Sequence, residues 1–229
     1  MGELVITILG GRRPRLLERT LCSVERHSRS LLQKSRVVAL INGGDGESAR
    51  LVKKRNWVDE LLQVGPELMP IGDAVSRLWD AADVSSSAYM MHLEDDWECT
   101  GPWFRFARTI LERDERIGQV RVRRHAPQSA VGHAVMRYHM LTHRRLQWKK
   151  RKVGGVEYLA SRAHFTFNPG VMKGSTAARL VPCRSEMDAA GMFHAMCCES
   201  AQVLPGAFLH LGGGDESLRA RIELASTAN

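Results

Sequence analysis

Short apolar runs alternate with amphipathic stretches along the first hundred residues. The runs are rich in β-branched and aliphatic residues, and glycine, proline or polar residues follow each of them. The amphipathic stretches repeat apolar residues at helical spacing. The pattern predicts strands at residues 3–9, 36–41, 60–64 and 88–93, and helices at residues 14–24, 48–56 and 73–82. This alternation predicts an α/β protein with a mostly parallel central sheet flanked by helices.

The second half of the chain has a less regular pattern. It predicts helices at residues 103–113, 174–181 and 185–198, and strands at residues 118–122, 164–167 and 207–211. The sequence contains no internal repeat and no low-complexity segment. We therefore expect residues 1–229 to form a single domain, with a frayed polar tail at residues 218–229.

Three consecutive carboxylates, Glu94, Asp95 and Asp96, directly follow the apolar run at residues 88–93. Adjacent carboxylates repel one another, so gathering them at the end of a buried strand requires a compensating charge. A hard divalent cation is the usual one, because it prefers carboxylate oxygens. On an extended backbone Glu94 and Asp96 point to one side and Asp95 to the other. The alternative is a solvated turn without a ligand.

Other ligand-competent loops follow the neighbouring strands. Gly10 and Gly11 end the first strand, and Asn42 and Asp45 lie in the loop after the second. In parallel α/β sheets, ligands bind outside the carboxyl ends of the strands. These loops and the three acids share that edge, which favours a binding site over a solvated turn.

The composition is ordinary for a globular protein. The 229 residues are 44% hydrophobic and 25% charged, which is enough to bury a sizeable core. No apolar run approaches the ~20 residues of a membrane-spanning helix, and no signal peptide is visible. The cysteines are odd in number and lack zinc-site spacing: Cys22, Cys99, Cys183, Cys197 and Cys198. We therefore expect reduced thiols in a cytoplasmic protein.

Positive charge is concentrated in residues 121–152. This segment contains ten Lys or Arg and no Asp or Glu; since the whole chain carries +8, the other residues sum to −2. Such a stretch, with Tyr138 and Trp148 as aromatics, suits a phosphate backbone with bases stacked on the rings. An anionic lipid or an acidic glycan also has the required charge. The alternative without a ligand is a solvated loop.

The order of these features resembles that of GT-A-fold glycosyltransferases of the family 2-like kind, from residue 3 to about residue 217. Residues 10–21 are similar to the nucleotide-binding turn and helix that open that fold, and residues 71–82 to the helix before its metal motif. Leu93–Trp97 stands in the place of its DXD motif, although Glu94 replaces the usual aspartate. Leu209–Gly214 is similar to the segment with its late metal-binding histidine.

The resemblance implies a Rossmann-like GT-A fold, a nucleotide-sugar donor (UDP-sugar favoured) and Mn²⁺ or Mg²⁺ as cofactor. It implies Asp96 as a direct metal ligand, Glu94 as a ligand directly or through water, and His210 as the third protein ligand. The metal would neutralise charge on the diphosphate leaving group. An imidazole ligand favours Mn²⁺, although a histidine on an apolar strand is also commonly a core residue.

Residues 1–100 form the expected nucleotide-sugar-binding half. Its candidates are the turn glycines, three arginines for the diphosphate, and polar residues near the base, the ribose or metal-bound water: Gly10, Gly11, Arg12, Arg13, Arg77, Asn42, Asp45 and Asp95. The arginines also fit a solvated helix face. By resemblance, the general base of an inverting transfer is Glu186, with Asp188 as second choice. Both also fit the first turn of a helix capped by Ser185, and a retaining enzyme would need no such base.

Residues 101–217 form the expected acceptor half, with residues 121–152 as a basic insertion. The residues expected to bind the acceptor are Arg137, Tyr138, Arg144, Arg145, Trp148, Lys149 and Lys150. We expect a polyanionic acceptor, first DNA with a hydroxymethylated pyrimidine, and then a lipid-linked or acidic glycan. Two other functions stay open: a nucleotidyltransferase, and a nucleic-acid-binding module on an inactive transferase fold. The intact acids and His210 argue against the second.

Overall fold

A computed structural model describes residues 3–124, 148–162 and 164–211 of the chain. The strands in these ranges are β1 (Leu4–Gly10), β2 (Arg36–Ile41), β3 (Glu60–Gln63), β4 (Tyr89–Glu94), β5 (Trp97–Cys99), β6 (Ile117–Arg121), β7 (Lys149–Val153), β8 (Val156–Ser161), β9 (Gly170–Lys173), β10 (Glu199–Val203) and β11 (Phe208–His210). The helices are α1 (Pro14–Leu32), α2 (Gly46–Lys53), α3 (Ile71–Ala81), α4 (Phe104–Arg113), α5 (Gly174–Ala177) and α6 (Glu186–Ala195).

Nine of the described strands form one sheet, in the order β3-β2-β1-β4-β9-β6-β10-β8-β7. β9 and β8 run antiparallel to their neighbours, and the other seven strands share one direction. The sheet is therefore mostly parallel, as predicted, and it continues from the first half of the chain into the second. β5 and β11 form a separate antiparallel pair that places His210 opposite Trp97.

Helices cover both faces of this sheet. On β1, Ile6 and Ile8 belong to a core with residues of α1, α2 and α4, whereas Val5 and Leu9 belong to a core with residues of α3, α5 and α6. Such double coverage explains why β1 and β2 are apolar at nearly every position. The predicted α/β architecture with flanking helices is confirmed, and the predicted order of strands and helices is correct from β1 to β4, whereas β5 was not predicted.

The predicted strand at residues 164–167 is wrong. The side chain of Gln119 donates to the carbonyl oxygen of Thr166 and accepts from its backbone N–H, so these groups bond to an amide rather than to a strand. The rings of Phe165 and Phe167 pack instead against Phe193 and Trp79. The strand in this region is β9, which begins at Gly170.

The sequence pattern did not predict the hairpin of β7 and β8. Its turn, Gly154 and Gly155, has positive φ angles of 53° and 80°, which glycine adopts at little cost. β7 is the last strand of the sheet, and exposed lysines are typical of such an edge because they oppose pairing with another chain. Lys150 also forms an ion pair with Glu157 at 2.8 Å. Part of the basic segment therefore has a role within the fold.

Several predictions fall outside the described residues. These are the acceptor contacts of Arg137, Tyr138, Arg144 and Arg145, the glycines at residues 212–214, and the tail at residues 218–229. Among the described helices, none has both the length and the apolar character needed to span a bilayer. All five cysteines are described and are free thiols.

Candidate active site at the carboxyl edge of the sheet

The three acids lie where the chain leaves β4. Glu94 is the last residue of β4, and Asp95 and Asp96 form the turn into β5. Arg13 contacts both Asp95 and Asp96. Because the strand ends at Glu94, its alternation of side chains stops there. The extended arrangement, with Asp95 opposed to Asp96, therefore does not occur.

Arg13 supplies part of the compensating charge that the acids require. Its Nη1 donates to Asp96 Oδ2 at 2.9 Å, and its Nη2 donates to Asp95 Oδ1. The backbone N–H of Gly11 donates to Asp95 Oδ2 at 2.7 Å. Asp95 is only 1% exposed, so it is held in place by the turn that follows β1. The predicted nucleotide turn and the predicted metal motif are thus in direct contact.

The three carboxylates differ in their electrostatics. Burial raises the pKa of Asp95 to about 6, against the charge of Arg13. Burial also raises the pKa of Glu94 to about 7, against a hydrogen bond from Asn168. At Asp96, burial acts in the same direction, but the hydrogen bond from His210 and the charge of Arg13 outweigh it, so its pKa lies below the usual value. A metal ligand must be deprotonated, which favours Asp96.

Asp96 and His210 form a pair suited to a divalent cation. His210 Nε2 lies 3.3 Å from Asp96 Oδ2, and the imidazole packs on Trp97 with ring centroids 4.7 Å apart. The other carboxylate oxygen, Asp96 Oδ1, is buried and has no hydrogen-bond partner among the described residues. An available oxygen beside an imidazole fits a cation with mixed oxygen and nitrogen ligands.

The part of the chain that the structure describes does not assemble a three-residue metal site. Among the described residues, no group of three His, Cys, Asp or Glu side chains is arranged to hold an ion. Glu94 receives a hydrogen bond from Asn168 instead. Magnesium-like cations commonly use one or two protein ligands and complete their shell with substrate phosphates and water. The pair formed by Asp96 and His210 fits that arrangement.

Arg12 and Asn42 shape the loops beside the acids. Arg12 Nε donates to the carbonyl oxygen of Gly43 at 3.2 Å, and its Nη2 donates to that of Pro66. The amide of Asn42 donates to and accepts from the backbone of Met69, with both bonds at 2.8 Å. These contacts tie the loops that follow β2 and β3 to the turn that follows β1.

Asp45 and Arg77 have other surroundings. Asp45 is the N-cap of α2 and accepts from the backbone N–H groups of Glu47 and Ser48. Arg77 lines a surface cavity with Trp79 and Asp83, near the end of α3. Since α3 begins at the edge that carries the acids and ends at the opposite edge, this cavity is separate from the acid cluster.

Glu186 lies close to the acids, as the first residue of α6. Its Oε1 accepts a hydrogen bond from the backbone N–H of Phe167 at 2.9 Å, and its charge contributes to the raised pKa of Glu94. Asp188 instead caps its own helix, because it accepts from the backbone N–H of Arg184 at 2.9 Å and its own N–H donates to Ser185 Oγ. Of the two predicted bases, the structure brings Glu186 to the site.

A close approach between α3 and the start of α6 fixes the position of Glu186. A Cβ atom on Gly72 would lie 2.1 Å from the carbonyl carbon of Arg184. The two backbones therefore pack directly against each other at this point, and only glycine fits there.

Thr20 and Asn168 also belong to the site, although neither was predicted from the sequence. Thr20 Oγ1 donates to the carbonyl oxygen of Asp95 at 2.8 Å and accepts from the N–H of Trp97. The available signal was a polar residue on the apolar face of α1, beside Leu17 and Leu21. Asn168 directly follows the run at residues 164–167 that was predicted to be a strand, and it carried no such signal. Both residues support the acid turn.

The described acceptor candidates are divided between two places. Lys149 and Lys150 lie on β7, five strands from β4 in the sheet order, which corresponds to roughly 24 Å. Trp148 lies nearer the acids: its ring stacks on His164 with centroids 4.6 Å apart, and the guanidinium of Arg121 is 5.4 Å from the ring centroid.

The fold is similar to that of a solved structure that contains a nucleotide, a sugar and a metal ion. A crystal structure of GalNAc-T7 with UDP, GalNAc and Mn²⁺ matches with a TM-score of 0.62 and 12% sequence identity, over 92% of this chain and 44% of that chain. The present chain thus spans less than half the length of that protein. This likeness confirms the GT-A-like fold class. No protein-family model and no curated protein sequence matches the chain.

Proposed function

We propose that the chain is a metal-dependent glycosyltransferase that moves a sugar from a nucleotide-sugar donor, with UDP favoured, to an acceptor hydroxyl. The observation that carries the proposal is the contact between Asp96 and His210 at the carboxyl edge of a GT-A-like sheet. The buried Oδ1 of Asp96 adds an available ligand atom. The presence of UDP and Mn²⁺ in the GalNAc-T7 structure supports UDP as the nucleotide of the donor and Mn²⁺ as the cation here.

Asp96 and His210 are the proposed ligands of Mn²⁺ or Mg²⁺. When bound, the cation supplies charge neutralisation for the diphosphate leaving group. Arg13, which contacts Asp95 and Asp96, adds a protein cation at the same place and is a proposed diphosphate ligand. Gly10 and Gly11 let the turn approach the nucleotide closely. Arg12, Asn42 and Asp45 hold the surrounding loops, and Arg77 stays the weaker candidate because it lines another cavity.

Glu186 is the proposed general base of an inverting transfer. The hydrogen bond from the Phe167 N–H fixes one of its carboxylate oxygens, which orients the group that would take the proton of the acceptor hydroxyl. The charge of Glu186 also raises the pKa of Glu94, which supports a position of Glu186 beside the acid cluster. Asp188 would serve only if its capping bond to Arg184 opened.

The acceptor is proposed to be anionic. DNA with a hydroxymethylated pyrimidine is the specific prediction from the basic segment, and an acidic or lipid-linked glycan is the alternative. Lys149 and Lys150 lie far from the acids, and Arg151 forms ion pairs with Asp114 and Glu199. Acidic side chains within the fold thus neutralise part of the charge on which the DNA prediction rests.

A donor-hydrolysis screen tests the proposed function. UDP-, GDP- and TDP-sugars are incubated with the protein in Mn²⁺ or in EDTA, with and without hydroxymethylated DNA. We expect hydrolysis of one nucleotide class that requires the cation. In Asp96→Asn the rate of hydrolysis should fall by more than the ~100-fold that is typical of losing a residue that only hydrogen-bonds to a metal ligand.

The matched control is Glu115→Gln, the same acid-to-amide change at an exposed position. This variant should hydrolyse the donor at a rate within about twofold of that of the wild type. Hydrolysis that persists in EDTA, or in Asp96→Asn, would contradict the proposed metal site.

A further inference from the structure

Polar atoms without hydrogen-bond partners cluster at the carboxyl edge of the sheet. Among the described residues, eight buried side-chain atoms have no partner, and six of them lie at this edge or in the row of residues next to it. One is Asp96 Oδ1, which belongs to the metal pair. The other five belong to residues on β4, just before β9, and on or near β6 and β10: His92 Nε2, Asn168 Oδ1, Arg121 Nε, Arg123 Nε and Gln202 Oε1. Burying such atoms is costly, so a cluster of them is typical of a site for a polar ligand.

The strand register places these residues in rows across the sheet. His92 on β4 is opposite Gly170, Gly170 is opposite Arg121 on β6, and Arg121 is opposite Gln202 on β10. Residues directly opposite one another share a face of the sheet. Two residues further along, the same register puts Glu94 and Arg123 in one row, with Asn168 between them. The backbones of β4 and β6 are about 10 Å apart at this level.

This face is the one that carries the proposed base. His92 contacts Trp79 of α3, and Trp79 shares a core with Phe193 of α6, the helix that begins at Glu186. On the opposite face, Val120 of β6 and Val122 just after it pack in the other core. This part of the chain is therefore apolar toward α4, and it carries Arg121 and Arg123 on the side of α3 and α6.

Arg121 is unusual as a buried arginine, and Arg123, two residues further on, is partly buried. Arginine is rarely fully buried unless it is paired with an anion, yet Arg121 is 2% exposed. Neither side chain forms an ion pair with a carboxylate of the described residues. The Arg121 guanidinium lies over Trp148, and burial lowers the pKa of Arg123 although the charge of Glu186 acts in the opposite direction.

We propose that Arg121 and Arg123 form a subsite for an acidic group, a phosphate or a carboxylate, on the acceptor. This inference rests on the proposed function and specifies the class of its acceptor, an acidic sugar. Guanidinium groups bind such anions through paired hydrogen bonds. An acid held at Arg123 directs the rest of the acceptor toward Glu186 and the metal pair, since all three lie at one edge. Lys149 and Lys150, five strands from β4, do not belong to this subsite.

Calorimetric titration with matched sugars tests the subsite. Glucose, glucose 6-phosphate and glucuronate are titrated separately into the wild type, Arg123→Gln and Arg121→Met, which keeps the apolar stem of a buried side chain. UDP with Mn²⁺ is titrated into the same samples as a measure of the donor site. Arg105→Gln, an exposed arginine on α4, is the control for loss of one charge, and circular dichroism verifies that each variant is folded.

We expect the wild type to bind both acidic sugars at least about tenfold more tightly than glucose. Arg123→Gln should weaken that binding by about tenfold or more, while UDP binding stays within twofold and Arg105→Gln behaves as the wild type. The subsite is wrong if the acidic sugars bind no better than glucose, or if neither variant weakens them. An equal loss of UDP affinity in Arg123→Gln would assign the arginines to the donor diphosphate and overturn the acceptor assignment. Absence of UDP binding by the wild type would overturn the proposed function itself.

Discussion

Arg13 connects the turn after β1 to the acid turn after β4, so its removal should destabilise the protein in a pH-dependent way. Arg13→Gln keeps a polar side chain but removes the cation that contacts Asp95 and Asp96. Breaking a buried ion pair typically costs ~3–5 kcal/mol. Because the Arg13 side chain is 24% exposed, solvent screening reduces this, and we expect a loss of about 2–3 kcal/mol at pH 8.

The sign of the pH dependence follows from Asp95. Its pKa is about 6 in the folded protein and 3.8 as an ordinary aspartate. The stability contributed by such a group is fully present below pH 3.8 and is lost as the pH rises through the folded pKa. Without Arg13 the pKa of Asp95 is higher still, so the stability of the variant keeps falling to a higher pH than that of the wild type. At pH 5 Asp95 is protonated in the variant, and only Asp96 lacks its partner, which leaves a cost of about 1 kcal/mol.

Urea denaturation at pH 5 and pH 8, in EDTA, measures the effect. Arg19→Gln, in the helix α1 that follows Arg13, is the matched control, since Arg19 pairs with Glu98 where the two side chains are 58% and 34% exposed. This variant should lower the free energy of unfolding by no more than ~0.5 kcal/mol at either pH. Arg13→Gln combined with Asp95→Asn should be more stable than Arg13→Gln alone at pH 8. Equal losses at the two pH values, or no loss, would refute the reasoning.

Three further predictions concern other parts of the account. Gly72→Ala should lower the free energy of unfolding by ~1–3 kcal/mol because its Cβ meets the Arg184 backbone, whereas Gly191→Ala, with nothing within 4 Å, should not; equal urea midpoints would contradict the close approach. Glu186→Gln should slow sugar transfer by ~10²–10⁴-fold and leave UDP binding within twofold, so a variant with wild-type kcat would exclude this base. If DNA is the acceptor, neutralising four cations together, Arg144, Arg145, Lys149 and Lys150, should weaken DNA binding and flatten its salt dependence. Unchanged affinity for DNA would remove that hypothesis.

The first half of the fold could be predicted because local pattern and tertiary packing agree there. β1 and β2 are apolar on both faces; β1 ends at Gly10, and Asn42 directly follows β2. Sequence alone therefore defines their type and their ends. The second half lacks this agreement. β10, Glu-Ser-Ala-Gln-Val, is buried at all five positions although only two are apolar, and β7 is almost entirely Lys and Arg. A polar strand that is buried by its neighbours has no hydrophobic period to detect.

The candidate site was predictable in its location but not in its contacts. Acids at the end of a central strand predict a site at this edge without a structure, and the resemblance to GT-A-fold glycosyltransferases adds Asp96 and His210 as its expected metal ligands. The pairing of Arg13 with Asp95 depends on two turns that are distant in sequence, and no local pattern contains it. Likewise, the alternation of Arg121 with apolar residues is visible in the sequence, but its burial is set by Trp148 and β10.

The central claim is that Asp96 and His210 hold a cation at the nucleotide site, and UDP binding with and without that cation tests it most directly. Calorimetric titration of UDP into the wild type should show binding in Mn²⁺ that is at least about tenfold weaker in EDTA. Asp96→Asn and His210→Ala should each remove the dependence on Mn²⁺. UDP affinity that is the same in Mn²⁺ and in EDTA, or that keeps its full dependence on Mn²⁺ in Asp96→Asn, would contradict the account.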